Sequence, residues 1–487
     1  MIISALHRHA SNNPDSIAIF DGTNVLTYSE LSNQVNQVSQ WLTNEKVHSI
    51  CFQLDNGINW VLLDLAAMQA GISSIPLPTF FTDVQVLHVL DSAGVDLFIP
   101  ADHECPGSNW HFTATPVLTG LAGFRPESAA VNNANLSPVP RKITYTSGST
   151  GAPKGVCLGL DTINTVTNSI VSAMESIEIR RHLCVLPLAT LLENIAGLYA
   201  PIVKGIEVIT PDSKTLGLEG SSKLDVSRFA STLETYKPNS IILVPQLLMA
   251  LTTLSELKMM SPSYLKMIAV GGGRISTQLL ERAEASDLAV FEGYGLSECC
   301  SVLTLNRPGQ KRKGSVGKPL PHAEIRVSPD GELEARGAVM SGYLGDSGTD
   351  SDWIGTGDLG HIDEDGYVYI NGRSKNLFIT SFGRNVTAEW IEAELTQQAA
   401  ISQVMLYGEG QDHNFALIWL RFDIDREEIE RLINDSNTRL PDYANVHEFI
   451  LMEGELAEDL VTSNGRLRRG KITDHFQHII DDHYSTN

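Results

Sequence analysis

Two hydrophobic periods alternate along the first part of the chain. Leu26-Thr-Tyr-Ser-Glu-Leu31 opens a helix that runs to about Leu42, with Ser29 as the expected cap and apolar residues at helical spacing after it. The segment 48–54 reads as a strand, 60–70 as a buried helix closed by Gly71, and 74–77 as another strand. The alternation returns with a strand over 240–244, a helix over 246–257 and a strand over 266–270 that runs into Gly271-Gly272-Gly273. Repeated βα units predict largely parallel sheets covered by helices. Beyond about residue 312 turn signals crowd together, at Pro319-Leu-Pro321, Pro329-Asp-Gly331, Asp363-Glu-Asp-Gly366 and Asn371-Gly372. The short alternating runs between them, 323–327 and 367–370, predict antiparallel β-structure. From about 376 onward the pattern is that of a compact α+β unit, with a boundary near 372–376.

The most apolar stretch, 183–203, is broken by Glu193 and Asn194 after about ten residues, whereas a membrane span needs ~20. A buried helix or strand pair is expected there. The N-terminal MIISALHRHASNN has no charged region followed by a long apolar one, so no signal peptide is expected. Six scattered cysteines, Cys51, Cys105, Cys157, Cys184, Cys299 and Cys300, lack CxxC or zinc-ligand spacing. They read as reduced, mostly buried thiols of a cytoplasmic protein.

Composition narrows the partners. The 487 residues suggest roughly three folding units of ~150, and 42% apolar with 19% charged residues fits a folded globular chain. Lys+Arg number 35 against 58 Asp+Glu, a net charge of −23. Such a surface repels a phosphate backbone and an anionic membrane, which argues against nucleic acid and against a polybasic membrane anchor. An anionic substrate must therefore meet a local cationic site.

Three segments carry candidate chemistry. In Thr144-Tyr-Thr-Ser-Gly-Ser-Thr-Gly-Ala-Pro-Lys-Gly155, glycines let the backbone approach an oxyanion, hydroxyls and amides donate to it, and a lysine adds a point charge. It is not a Walker A loop, because the second glycine of that pattern falls on Pro153. A flexible Ser/Gly linker has no reason to end in Pro-Lys-Gly beside an apolar strand. Phe291-Glu-Gly-Tyr-Gly-Leu-Ser-Glu298 fits neither a dinucleotide fingerprint nor a nucleophile elbow. It reads as a tight turn presenting an aromatic ring, a hydroxyl and a carboxylate, suited to stacking on a base and binding Mg²⁺; a plain βα turn fits equally well. Thr356-Gly-Asp358 and Asn371-Gly-Arg-Ser-Lys375 place an Asp and an Arg across a hairpin, able to hold ribose hydroxyls or simply to decorate two β-turns.

Taken together, TSGSTGAPKG, EGYGLSE, TGDLG and GRSKN follow the order and spacing of the adenylate-forming (AMP-binding, acyl-CoA synthetase) superfamily, which the whole chain resembles. Gly314-Ser-Val-Gly-Lys-Pro319, Gly342-Tyr343, Gly383-Arg-Asn-Val386 and Glu389-Trp-Ile-Glu392 extend the resemblance. It implies an α/β fold, with a large N-terminal domain of mostly parallel βα sheets plus a small β-barrel-like subdomain (1–374), followed by a small mobile α+β C-terminal domain (375–487). It implies ATP-dependent activation of a carboxylic acid to an acyl-adenylate, then transfer to the pantetheine thiol of CoA or of an acyl-carrier protein, with Mg²⁺ as cofactor. A nucleotide-binding relative with impaired turnover is the alternative.

Carried over by position, Thr146, Ser147, Gly148, Ser149, Thr150, Gly151 and Lys154 are expected to hold the phosphates. Gly271, Gly272, Gly273, Tyr294 and Gly295 are expected to flank the adenine. Ser297 keeps a hydroxyl where the family usually has Thr, Glu298 is the expected Mg²⁺ ligand, Asp358 and Arg373 hold ribose, and Lys375 marks the hinge. The family's adenylation lysine falls on Arg466 in Gly465-Arg-Leu-Arg-Arg-Gly-Lys471, with Lys471 as the competing candidate. The segment Pro187-Leu-Ala-Thr-Leu-Leu-Glu-Asn194 lacks the Phe-Asp pattern of amino-acid-activating domains and resembles that of fatty acyl-CoA synthetases, with Thr190 where those carry His. An apolar fatty acid, or an aryl acid, is therefore the expected substrate.

Overall fold

A computed structural model describes the chain except residues 103, 119, 128–139, 148–152, 220–222, 347–351, 382–383, 462–466 and 487. Runs such as Ser240–Leu243 and Ser73–Pro76 are buried along their whole length, as parallel strands covered on both faces require. They assemble into two large sheets. In one, Ile17–Phe20, Glu207–Ile209, Arg181–Leu183, Ser240–Leu243, Met267–Val270 and Val290–Tyr294 are adjacent and parallel, and antiparallel strands close both edges. In the other, Lys142–Ser147, Ser73–Pro76, Ser49–Gln53 and Leu97–Pro100 form the parallel centre. Helices Tyr28–Asn44, Ile58–Ala70 and Leu160–Ala173 share one apolar core with residues of both sheets, among them Ile19, Val208, Phe52 and Leu97.

A polar cluster is sealed into that core. The Lys142 ammonium lies 2.5 Å from an Asp64 carboxylate oxygen, both side chains at most 2% exposed. Asp64 also accepts from the hydroxyls of Ser74 (2.7 Å) and Tyr199 (2.5 Å) and from Asn194 Nδ2 (3.1 Å). These donors on both carboxylate oxygens make so deep a charge pair tolerable. It ties the start of the strand Lys142–Ser147 to the helix Ile58–Ala70.

The helices end as expected at Gly71, which is left-handed at φ 76. The cap of Tyr28–Asn44 is not Ser29 but Thr27, which exchanges hydrogen bonds with Glu30 in a capping box. The stretch 183–203 is a strand end followed by the π-helical turn Glu193–Tyr199 and the helix Ala200–Lys204. Among the described residues no helix is long and apolar enough to cross a membrane. All six cysteines are free, and five are buried.

Further along the chain, Ala323–Val327, Glu332–Gly337, Ile354–Ile362 and Val368–Arg373 form an antiparallel sheet in chain order. Its hairpins turn at Pro329-Asp-Gly331 and Asp363-Glu-Asp-Gly366. Asn371-Gly372, expected as a turn, lies inside the last strand instead, where Gly372 pairs with Leu359 beside a register shift. The remaining chain has its own apolar cores around the sheet Ile401–Tyr407, Asn414–Leu420 and Val446–Met452. Helices Ala388–Leu395, Arg426–Asn437 and Arg469–Thr486 pack there, the last with non-helical φ/ψ at Phe476.

Candidate active site

Three parallel strands, Ser240–Leu243, Met267–Val270 and Val290–Tyr294, end at one cleft of about 2050 Å³. Carboxyl ends of parallel strands are where open α/β sheets bind ligands. At the second strand end, Gly271, Gly272 and Gly273 line the cleft, with Gly272 at φ 80, a left-handed value that glycine adopts without strain. At the third, Tyr294 leads through Gly295 into the single turn Ser297–Cys299. A Cβ on Gly295 would sit 1.5 Å from the Ser301 carbonyl oxygen, so only glycine fits. The next turn is strained, with Cys300 and Ser301 at φ 52 and 94. It directs Ser297 and Glu298 to the cleft.

Glu298 accepts a hydrogen bond from the Tyr343 hydroxyl at 2.9 Å, and the Lys154 ammonium lies 5.3 Å from the centre of the Tyr343 ring. Desolvation and the Glu298 charge push the Tyr343 phenol above its ordinary value, so it stays a donor. The corner thus presents one cation and one hard carboxylate, a donor set suited to phosphate and Mg²⁺. Lys154 pairs across the hairpin with Thr146, which also lines the cleft. Gly148, Ser149, Thr150 and Gly151, and the side chain of Ser147, lie outside the described residues, as does Arg466.

On the facing wall Asp358 stands directly opposite Arg373 in the hairpin, 2.9 Å from its Nε. Arg373 also donates to the Thr356 carbonyl at 3.0 Å, and the Tyr294 hydroxyl donates to Asp358 at 2.6 Å. Burial and the Asp358 carboxylate hold the Tyr294 phenol well above its usual value. Lys375, in the turn Ser374–Asn376, and Lys471, in the first turn of Arg469–Thr486, line the same cleft. The Lys471 ammonium lies 3.9 Å from Asp459. With Arg274 these cations supply the local positive field that the acidic surface lacks.

Sequence reasoning missed Glu292. It lies two positions before Tyr294 in one strand and so shares its cleft-facing side; that period of two was the available signal. Desolvation pushes its carboxyl up to about 8, against the pull of Arg274. It also missed an apolar wall: Ile170, Met174, Leu186, Met267, Ala269 and Val302 line the same cleft. Buried His182 lies in this apolar wall, held by Ser240 (2.8 Å) and Glu193 (2.9 Å), and Glu193 accepts from the Leu186 amide (2.9 Å). Thr190 lines the cleft as well.

The family model described as AMP-binding enzyme matches residues 6–344, and that for the AMP-binding enzyme C-terminal domain matches 375–487. A 2-succinylbenzoate–CoA ligase of Bacillus pumilus is 27% identical, over 84% of this chain and 85% of its own. A long-chain fatty acid–CoA ligase of Mycobacterium bovis is 25% identical, over 86% and 81%. Among solved structures, an anthranilate CoA ligase in complex with anthranoyl-AMP superposes with a TM-score of 0.79 at 18% identity, covering 97% of this chain and 96% of that one. The o-succinylbenzoate CoA synthetase of Bacillus subtilis with its acyl-adenylate gives 0.75 at 22% identity, covering 96% and 98%.

Proposed function

The chain belongs to the AMP-binding enzyme family, and from that premise we propose that it activates an apolar carboxylic acid, fatty or aryl, with MgATP. Like the named ligases, it makes an acyl-adenylate and passes the acyl group to a thiol of CoA. An acyl-carrier protein is proposed as a second acceptor, and the cytoplasm as its place. The observation that carries the choice of acid is the apolar share of the cleft lining, Ile170, Met174, Leu186, Met267, Ala269 and Val302, beside its charged residues. A carboxylate entering with its chain against those apolar residues leaves its oxygens to the charged ones.

Adenylation replaces an oxide leaving group by AMP, and the protein's contribution is position and charge neutralisation. In this reading Thr146 and Lys154, with residues 147–151, hold the phosphates. Glu298 would hold Mg²⁺, which supplies charge neutralisation when bound. Asp358 and Arg373 take the ribose hydroxyls, the glycines 271–273 and Tyr294-Gly295 border the adenine, and the Ser297 hydroxyl donates to phosphate. Residues 1–374 and 375–487 are read as two domains joined at Lys375. The bridge between carboxylate and phosphate is assigned to Arg466: Gly465, Leu467 and Arg469 keep the family's spacing around it, and a guanidinium can donate to both oxyanions at once.

The test is pyrophosphate release with a panel of aliphatic and aryl acids, scored with CoA and with carrier protein. Release with apolar acids and not with amino acids supports the reading. Arg466→Ala is expected to raise the adenylation barrier by ~2–4 kcal/mol, while Lys471→Ala leaves it nearly unchanged; the reverse result moves the role to Lys471. No release with any acid would leave a nucleotide-binding relative with impaired turnover.

A further inference from the structure

Away from the cleft, three side chains from separate parts of the C-terminal unit converge on one point. His413 precedes the strand Asn414–Leu420, Glu448 lies in Val446–Met452, and His483 lies in the last helix, Arg469–Thr486. His413 Nε2 and His483 Nε2 are 3.5 Å apart. The same Glu448 oxygen, Oε2, lies 3.5 Å from the first and 2.9 Å from the second. A tetrahedral ion with bonds of about 2.05 Å holds its ligand atoms about 3.3 Å apart. The three separations bracket that edge length.

The surroundings have the features of a metal centre. The Asp412 carboxylate lies 2.6 Å from the other ring nitrogen of His413, which fixes the ring and presents Nε2 inward, as outer carboxylates do for metal-bound imidazoles. The His483 ring stacks on buried Phe415, with centres 3.8 Å apart, and the Tyr484 ring closes on His413 at 5.5 Å. The side chains remain 23%, 12% and 41% exposed for His413, His483 and Glu448, so an ion can reach them from solvent.

We propose that His413, His483 and Glu448 form a binding site for a divalent transition ion of the zinc class, with a fourth position open to water. Two imidazoles and one carboxylate select such an ion over Mg²⁺, which prefers oxygen ligands in octahedral geometry. The ion ties the end of the last helix to two strands of its sheet. That helix carries Lys471 at its other end, beyond the irregular turn at Phe476, so the site braces the element that reaches the cleft.

The full chain, stripped of metal and free of Mg²⁺, is titrated with Zn²⁺ by calorimetry and with Co²⁺ by visible absorption. The expected result is one ion per chain, a tetrahedral Co²⁺ spectrum, and a melting temperature raised by Zn²⁺ but not by Mg²⁺. His413→Ala and His483→Ala should each lose more than ~100-fold in affinity, and Asp412→Asn, which removes only the outer carboxylate's charge, ~10–100-fold. Absence of saturable Zn²⁺ binding, or binding unchanged in both histidine variants, overturns the site and assigns any bound ion to other donors such as the cysteines. If a histidine variant does not fold, Asp412→Asn decides, and unaltered Zn²⁺ affinity in that variant also overturns the proposal.

Discussion

Glu292 shows how one residue can set a pH dependence. Its carboxyl is pushed up to about 8 in the fold, whereas an exposed glutamate titrates near 4.3. The native state therefore binds more protons than the unfolded chain between these values, and the contribution of this group to stability falls as pH rises from about 4.5 to about 8. Glu292→Gln removes the charge and keeps the shape. Denaturant unfolding at pH 5 and pH 8 should show the variant gaining at least about 1.4 kcal/mol on the wild type at the higher pH, the equivalent of one pKa unit. An identical pH slope in both chains would refute the assignment. Glu298 calls for the opposite expectation. It lies in the cleft with Tyr343 donating to it, so Glu298→Gln should raise the Mg²⁺ requirement of pyrophosphate release with little loss of stability. An unchanged Mg²⁺ dependence would remove it from the metal's ligands. At this scale sequence reasoning found residues that sit in recognisable strings. It did not find Glu292 or His182, because their place in the cleft comes from strand pairing and from the turn Glu193–Tyr199.

Elements were legible where one local signal dominated. A nearly unbroken apolar run closed by Gly71 sufficed for the helix Ile58–Ala70, and turn chemistry sufficed for the hairpin at 329–331. Competing signals failed. Ser29 and Thr27 both suit a cap, and the choice fell to Thr27 because Glu30 stands three positions after it and closes the box. Asn371-Gly372 suits a tight turn, yet the pairing of Asp358 with Arg373 holds it in the strand. The strand Lys142–Ser147 leads into the glycine- and hydroxyl-rich segment of the sequence and is fixed at its start by the Lys142–Asp64 pair inside the core. Removing one partner leaves a buried charge without compensation, so Asp64→Ala should cost about 3–5 kcal/mol. Replacing the pair together, Asp64→Leu with Lys142→Met, should restore much of that loss. Denaturant midpoints of the wild type and the two variants check both statements, and a double variant no better than the single one would mean that Ser74, Tyr199 and Asn194 depend on the carboxylate.

At the scale of the molecule the question is how one cleft serves two reactions. Its lining comes from both parts of the chain: Lys154, Glu298 and Asp358 on one side, Glu392, Arg469 and Lys471 on the other. The small unit is braced from within, since Arg469 pairs with Glu392 and donates to the Leu406 carbonyl. A braced unit can turn as one piece only about a short connection, and Lys375 is exposed in the single turn Ser374–Asn376 directly after the Arg373 that pairs with Asp358. Proline at 375 would lock φ there and disfavour the helical region for Ser374. If the two half-reactions use two placements of the small unit about this residue, Lys375→Pro should keep one placement and lose the other. Since Arg373 and Asp358 stay in place, adenylation should survive within a few-fold while thioester formation falls by ~100-fold or more, about 2.7 kcal/mol of barrier. Pyrophosphate release and acyl-CoA formation, measured separately on the same preparation, decide it. Equal losses in both would show that residue 375 supports the cleft as a whole and that the connection turns elsewhere.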